Sequence, residues 1–114
     1  MRQDLLRWQW QLYPEAHRRR TTLAIHVVTS PIFVMGSLML GVTPIFGWHF
    51  AVAGALFMAT TVLAQGWAHG QEDAKPVPFD GPLDFVARFF AEQFVTFPRF
   101  VFTGAFARAW RRNA

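Results

Sequence analysis

The 114-residue sequence predicts an all-α membrane protein, built as a two-span transmembrane helical hairpin with interfacial amphipathic helices at both ends. From Thr21 to Gln71 the chain has no Asp, Glu, Lys or Arg, although it contains 11 Lys or Arg and 7 Asp or Glu in total. That stretch is too long for one span of about 20 apolar residues and suits two spans joined by a short turn. A soluble domain of this size rarely buries so long an uncharged run, so the membrane interpretation is favoured.

The turn between the two spans is expected at residues 41–48, where two glycines and a proline come shortly before Trp48. Glycine and proline favour turns, and tryptophan suits a membrane interface. The apolar spans are therefore expected at roughly Leu23 to Leu40 and Phe50 to Trp67, within hairpin segments predicted over residues 22–46 and 48–69. The whole chain, residues 1–114, is predicted to be one membrane domain.

The distribution of positive charge predicts the orientation of the hairpin. Arg18, Arg19 and Arg20 precede the first span and Lys75 follows the second, whereas the turn has neither Lys nor Arg. Positive residues stay on the cytoplasmic side, so both termini are predicted to be cytoplasmic. The net charge of +4 does not indicate a nucleic-acid partner, because the basic residues flank the spans and form no separate basic domain.

The two ends of the chain are predicted to lie on the membrane surface. Residues 1–20 place Leu5, Trp8 and Leu12 in one helical row, as in an amphipathic helix. A connector over residues 70–82 leads to a second amphipathic helix over residues 83–112, which Pro98 is expected to kink or divide. That helix has charged residues at four-residue steps, namely Asp84, Arg88 and Glu92. They are expected to pair along one solvent-exposed face of the helix.

Histidines are the candidate site of chemistry, because the chain has no cysteine and any metal must bind histidine, carboxylate or water. His26 begins the first span and His69 ends the second, so an antiparallel hairpin brings them to the same side. His17 lies on that side too, but it can join them only if the helix breaks near Arg18. His49 is predicted to lie about 30 Å away, at the other end of the second span.

A metal site and a purely structural role both fit these histidines at this stage. Gln65, His69 and Glu72 follow one another at i, i+4 and i+7 and share a helix face. Histidine with carboxylate and water is the ligand set that suits ferrous iron with open positions, so Fe2+ is the leading metal. The alternative is that the histidines are interfacial polar residues bonded to backbone carbonyls.

The pattern Tyr13-x3-His17-x8-His26-x4-Pro31, followed by Gln65-x3-His69-x2-Glu72-x3-Pro76, resembles the small membrane family related to fungal 2-hydroxy-fatty-acid dioxygenase. The resemblance covers most of the chain from Tyr13 to about Phe79 and is nearest to small bacterial members. It implies an Fe2+-dependent oxidoreductase that shortens 2-hydroxy fatty acids by one carbon in the bacterial inner membrane. The family pattern has Asn in place of Thr22 and Gly in place of Thr29.

The same resemblance implies roles for individual residues. Three histidines would bind the iron, namely His17, His26 and His69. Glu72 would be a further ligand or the partner of one, and Gln65 would orient a ligand or a substrate oxygen. The substrate carboxylate would be attracted from the headgroup layer by Arg18, Arg19 and Arg20, which serve equally well as topology-setting charges.

Two other function classes remain open from the sequence. One is a non-enzymatic haem-binding membrane protein with His26 and His69 as axial ligands, and the other is a structural module that shapes the membrane through its amphipathic ends. The expected partners are membrane lipid and a fatty-acyl substrate. A homodimer is a further expected partner, because two spans enclose little space and Gly36 with the Ala-rich second span permits close helix approach.

Overall fold

The computed structural model describes residues 4–112, and every regular element among them is helical. The helices are α1 (Leu5–Ala16), α2 (Arg20–Gly41), α3 (Thr43–Phe46), α4 (Trp48–Gly70), α5 (Pro82–Ala91), α6 (Phe97–Phe102) and α7 (Ala105–Arg112). A π-helical turn, Glu92–Thr96, joins α5 to α6. Residues 1–3 of the predicted N-terminal helix and residues 113–114 of the predicted domain lie outside the described residues.

Helices α2 and α4 form the hairpin, and both are long and apolar enough to cross a membrane. They approach closely at Gly36 and Gly54, since a Cβ on Gly36 would lie 2.7 Å from the Gly54 carbonyl oxygen and one on Gly54 would lie 2.5 Å from the Gly36 oxygen. Only a residue without a side chain fits such a contact. The glycine that the sequence offered for dimerisation thus packs within the hairpin.

The predicted first span, residues 22–46, is shorter in the structure because α2 ends at Gly41 and the short helix α3 follows. Pro44 lies in the first turn of α3, where its missing N–H costs no helical hydrogen bond. Gly47 then has a φ of +104°, a conformation that favours glycine, and the chain turns into α4.

The predicted C-terminal helix, residues 83–112, is interrupted at two places. The π-helical turn precedes Pro98, which lies in the first turn of α6, and a break at Thr103 and Gly104 separates α6 from α7. Gly104 has a φ of +84°, which accounts for glycine there. The wider π-helical turn holds extra residues per turn, and among its members Gln93 and Thr96 are buried.

The C-terminal helices pack against α1 and against the end of the hairpin where α2 begins and α4 ends. A buried cluster joins them there, formed by Tyr13, Leu23, Phe97, Phe100 and Ala109. Gln93 and Gln65 of α4 exchange two amide hydrogen bonds of 2.8 and 3.1 Å. Four parts of the chain, namely α1, α2, α4 and the π-helical turn, therefore meet at one place.

Arg88 ties the connector to α5. The predicted pair with Asp84 is confirmed at 3.3 Å, and the Arg88 guanidinium also donates to the carbonyls of Val77 at 2.8 Å and Pro78 at 3.0 Å. Asp84 accepts a hydrogen bond from the Asp80 N–H. That bond lowers the pKa of Asp84 against the opposing effect of burial, with a further contribution from Arg88.

Candidate metal centre

The three histidines of the predicted site come together at the junction of α1, α2 and α4. Helix α1 ends at Ala16 and α2 begins at Arg20, so His17 lies in the bend between them. The break that a shared site required is therefore present. The ring of His17 lies 4.5 Å from that of His26 and 4.7 Å from that of His69, and the rings of His26 and His69 are 5.0 Å apart, centroid to centroid.

Glu92 is the fourth member of this group, and the sequence had not placed it there. Its Oε2 lies 3.2 Å from His17 Nε2 and 3.1 Å from His26 Nε2, and the two Nε2 atoms are 3.2 Å apart. The expectation that Glu92 stays wet and pairs with Arg88 is wrong, since its side chain is 13% exposed and turned to the histidines. The signal in the sequence was a carboxylate among phenylalanines, because a charge in an apolar helix usually has a role.

Backbone carbonyls fix the orientation of two of the imidazoles. His17 Nδ1 lies 2.9 Å from the Tyr13 oxygen, and His26 Nδ1 lies 2.9 Å from the Thr22 oxygen. A carbonyl only accepts, so each Nδ1 carries the hydrogen and a neutral ring has its lone pair on Nε2. This is the arrangement that metal-binding histidines usually have. His69 Nδ1 is buried and has no hydrogen-bond partner among residues 4–112, as expected where a ligand belongs.

The separations within the group fit the ligands of one ion. With metal–ligand bonds of about 2.1 Å, two ligand atoms lie about 3.0 Å apart at a right angle and about 3.4 Å apart at a tetrahedral angle. The 3.1 to 3.2 Å contacts among His17, His26 and Glu92 fall in that range, and ligand atoms of all four residues lie within 4.8 Å of one another. The His17/His26/His69/Glu92 group is thus able to hold a metal ion.

The protonation states of the group also suit a cation. Burial opposes the charge on Glu92, but His17 and His26, when an Nε2 carries a proton, outweigh it through hydrogen bonding and charge and hold the pKa of Glu92 well below its usual value. Burial, followed by the neighbouring His26, lowers the pKa of His17. A carboxylate and a neutral imidazole are the forms that bind metals.

Tyr13 supports the centre from the side of α1. Its hydroxyl donates a 2.7 Å hydrogen bond to Glu92 Oε2, and its ring stacks on His17 with centroids 3.8 Å apart. Burial, followed by the charge of Glu92, raises the pKa of Tyr13 well above its usual value, so the hydroxyl keeps its proton. The Tyr13 side chain thereby fixes the positions of the His17 imidazole and the Glu92 carboxylate.

Glu72 lies outside the group of four and holds the bend in place. Its two carboxylate oxygens accept hydrogen bonds from the backbone N–H groups of Arg18 at 3.2 Å and Arg19 at 2.9 Å. The side chain is buried, and it connects the end of α4 to the start of α2, where the N–H groups have no helical partner. Glu72 therefore positions His17 through the backbone.

The other predicted site residues lie around the group. Gln65 is buried and bonds to Gln93, Thr29 and Ser30, one turn of α4 away from His69. The three arginines around the start of α2 each contact another part of the protein. Arg18 pairs with Glu15, Arg19 pairs with Asp73, and Arg20 donates to the Trp110 carbonyl. His49 stacks on Trp48 at the opposite end of α4, as predicted.

A largely apolar cavity of about 530 Å³ opens beside the centre. His17, His69, Glu92 and Gln65 form part of its wall. The remaining wall comes from α1, α4, the connector and α5, and its large apolar side chains are Trp8, Leu12, Val62, Val77, Phe79, Phe85 and Phe89. The volume is typical of small-molecule sites.

Comparison of the chain with protein-family models, with curated proteins and with solved structures gives no match. The fold and the site together define the class to which the chain belongs. It is a helical-hairpin protein in which three histidines and one glutamate converge beside an apolar cavity.

Proposed function

We propose that the protein is an iron-dependent oxygenase of the bacterial inner membrane that shortens 2-hydroxy fatty acids by one carbon. The observation that carries the proposal is the convergence of two imidazole nitrogens and one carboxylate oxygen within 3.2 Å of each other, in the wall of an apolar cavity. Two histidines and a carboxylate, with open positions, are the ligand set of many non-haem iron oxygenases.

Exposed apolar side chains on the hairpin support the membrane location. Val28, Leu38, Leu56 and Leu63 are 61, 62, 62 and 75% exposed. A helix from the core of a soluble protein would bury such side chains, whereas lipid covers them without cost. Both termini face the cytoplasm, because the flanking positive charges lie at that end of the hairpin.

Some residues of the site would bind the reacting groups, and others would exclude water. Bound Fe2+ would supply two further positions, one for dioxygen and one for an oxygen of the substrate. His17, His26, His69 and Glu92 would hold the ion, and the hydrogen bond from Tyr13 keeps the Glu92 carboxylate turned towards the histidines. The apolar wall holds the acyl chain and excludes water from the reacting end.

The proposed reaction balances with one dioxygen for each substrate molecule. The bond between C1 and C2 breaks, C1 leaves as carbon dioxide, and C2 becomes the carboxyl carbon of the shorter acid. The four electrons lost by the hydroxy acid reduce dioxygen, which supplies one oxygen atom to the products and forms one water. No separate reductant is needed.

The geometry favours a non-haem centre over haem. Axial haem ligands face each other across a flat macrocycle. Between His26 and His69, whose ring centroids are 5.0 Å apart, the ring of His17 lies within 4.7 Å of both, leaving no slot for a macrocycle. A structural module also explains the group poorly, because buried ionisable groups cost stability unless they have partners or bind metal.

Metal content and turnover together test the proposal. Protein purified without oxygen should hold about one iron per chain, and with 2-hydroxypalmitate it should consume one dioxygen for each shorter acid that forms. His69→Ala should lose both properties, whereas His49→Ala, the matched change at the opposite end of α4, should retain them. Background metal in the wild-type protein would overturn the iron proposal and leave the structural module.

A further inference from the structure

Lys75 is a cation at the rim of the cavity with no carboxylate partner among residues 4–112. Its Nζ donates a 2.8 Å hydrogen bond to the Gly70 carbonyl at the end of α4. The side chain lines the same cavity as His69 and Glu92. A carbonyl partner satisfies one donor and leaves the charge available to an anion.

The other cations near the site are already engaged. Arg88 also lines the cavity, but its guanidinium contacts Asp84 and two connector carbonyls. Arg18, Arg19 and Arg20, which the sequence offered for the substrate carboxylate, are not among the residues that line the cavity. An anion inside the cavity therefore meets Lys75 before any of them.

We infer that Lys75 binds the anionic end of a lipid with a single acyl chain and that the chain fills the cavity. The inference rests on the proposed function for the reaction at the centre, but binding itself needs no metal. From Gly70 the cavity follows α4 inward to Val62, about 12 Å along the helix axis at 1.5 Å per residue. Its wall is largely apolar over that length, so a hydrocarbon chain is the complementary occupant.

Gly66 provides a way to block the cavity without disturbing the protein. It lies on α4 between Val62 and Gly70 and lines the cavity, and an added Cβ would meet no atom of the described residues within 4 Å. Gly66→Phe therefore extends into the cavity and clashes with no protein atom at its Cβ. Lys75 is exposed, so Lys75→Gln leaves the packing intact.

Photocrosslinking in chelator-treated, metal-free protein tests the inference. The probe is palmitate with a diazirine near the chain end, and the protein is held in nanodiscs of phosphatidylcholine. We expect crosslinks on peptides that contain Leu12, Val62 or Phe85. Palmitate should compete about tenfold better than palmityl alcohol, the difference that one charge-assisted hydrogen bond gives.

Variants separate the roles of charge and cavity. Lys75→Gln should lose the preference for palmitate over the alcohol, Lys75→Arg should retain it, and Gly66→Phe should lower crosslinking by either lipid. Arg112→Gln is the matched loss of a positive charge away from the cavity and should behave as wild type. If lysophosphatidic acid competes as well as palmitate, the site binds anionic single-chain lipids and accepts a phosphate head group as well as a carboxylate.

Three results would overturn the inference. The first is equal competition by palmitate and palmityl alcohol in the wild type, and the second is an absence of crosslinks on the cavity peptides. The third is a preference that survives Lys75→Gln but is lost in Arg18→Gln or Arg19→Gln. Since the protein is metal-free, a failure of the iron proposal would leave these results unchanged.

Discussion

Glu92 provides the negative charge around which His17, His26 and His69 gather. A buried carboxylate is costly unless its oxygens have partners, and here Tyr13 and two imidazoles surround one oxygen. The same oxygen lies where a metal ligand is needed. Stability and the proposed metal binding therefore depend on one side chain, and only a substitution that keeps the shape of that side chain can separate them.

Glu92→Gln is such a change. The amide oxygen can still accept from Tyr13, whereas the negative charge at the centre is lost. We expect the affinity for Fe2+ to fall at least about tenfold, as happens when metal-site residues are altered. A competition assay with a chelator under anaerobic conditions measures the affinity.

Glu15→Gln is the control for this change, because its side chain is 71% exposed and pairs only loosely with Arg18 at 3.7 Å. It should bind Fe2+ as the wild type does. Wild-type affinity in Glu92→Gln would show that Glu92 is not a ligand.

Asp84 should make the folded protein less stable at acid pH. Because its folded pKa lies below the usual value, its contribution is present above the unfolded pKa near 4 and is lost as the pH falls through the folded pKa. Asp84→Asn should lower the melting temperature at pH 7 and flatten its decrease between about pH 5 and pH 3.

Asp80→Asn is the control, since Asp80 contributes its backbone N–H to this contact. Thermal unfolding across the pH series checks both variants. A melting curve for Asp84→Asn that follows the wild type at every pH would contradict the expected role.

The sequence indicated the histidines of the centre but not the glutamate. His17, His26 and His69 could be predicted because a hairpin must return His69 to the side where His26 begins. Glu92 could not, because its direction depends on the π-helical turn that starts there, and four-residue spacing from Arg88 suggested pairing instead. The role of Glu72 in holding the bend depends on which N–H groups the bend exposes, which spacing alone does not specify.

Among the elements, the hairpin depends on the contact between Gly36 and Gly54. Gly36→Ala would place a methyl group 2.7 Å from the Gly54 oxygen and 2.8 Å from Phe57 Cβ. Overpacking of this kind costs about 1–3 kcal/mol, so we expect a lower melting temperature. Thermal unfolding in detergent measures the change.

Gly66→Ala is the matched substitution in open space, where the added Cβ meets no atom within 4 Å. It should stabilise α4 by about 0.5–1 kcal/mol, because alanine favours a helix interior more than glycine does. Equal effects of the two substitutions would show that α2 and α4 do not approach at Gly36.

The positions of the elements were easier to predict from the sequence than their ends. The absence of charge from Thr21 to Gln71 predicts two long helices, and α2 and α4 occupy that stretch almost entirely. Their boundaries differ because residues 43–46 form a separate short helix and because α2 extends back to Arg20 once Glu72 accepts from the bend. Both effects depend on contacts between distant parts of the chain.

In the whole molecule, the centre and the cavity lie at the charged end of the hairpin, and one chain supplies all four residues of the centre. A membrane hairpin of this kind leaves residue 45 on the opposite side from residue 112. The natural chain has no cysteine, so Ile45→Cys and Arg112→Cys each introduce a single thiol.

An impermeant maleimide should label position 45 from outside the inner membrane in spheroplasts and position 112 only after the membrane is opened. This result follows from the positive-inside rule applied to the flanking charges. Glu15→Cys, at the other end of the chain, should behave like position 112. Labelling of positions 45 and 112 from the same side would exclude a two-span hairpin.

The π-helical turn has a consequence for the length of the chain as well as for its shape. A π-helical turn is equivalent to one residue inserted into an α-helix. Upstream of it, Asp84 and Arg88 hold the connector, and downstream Phe97 and Phe100 fill the core. Deletion of Val95, which is 43% exposed, would therefore restore a regular α-helix in which the two sets keep their register. The helices on either side should tolerate the loss of a single residue here, whereas the side chains of the turn itself, Glu92 and Gln93 among them, would change direction.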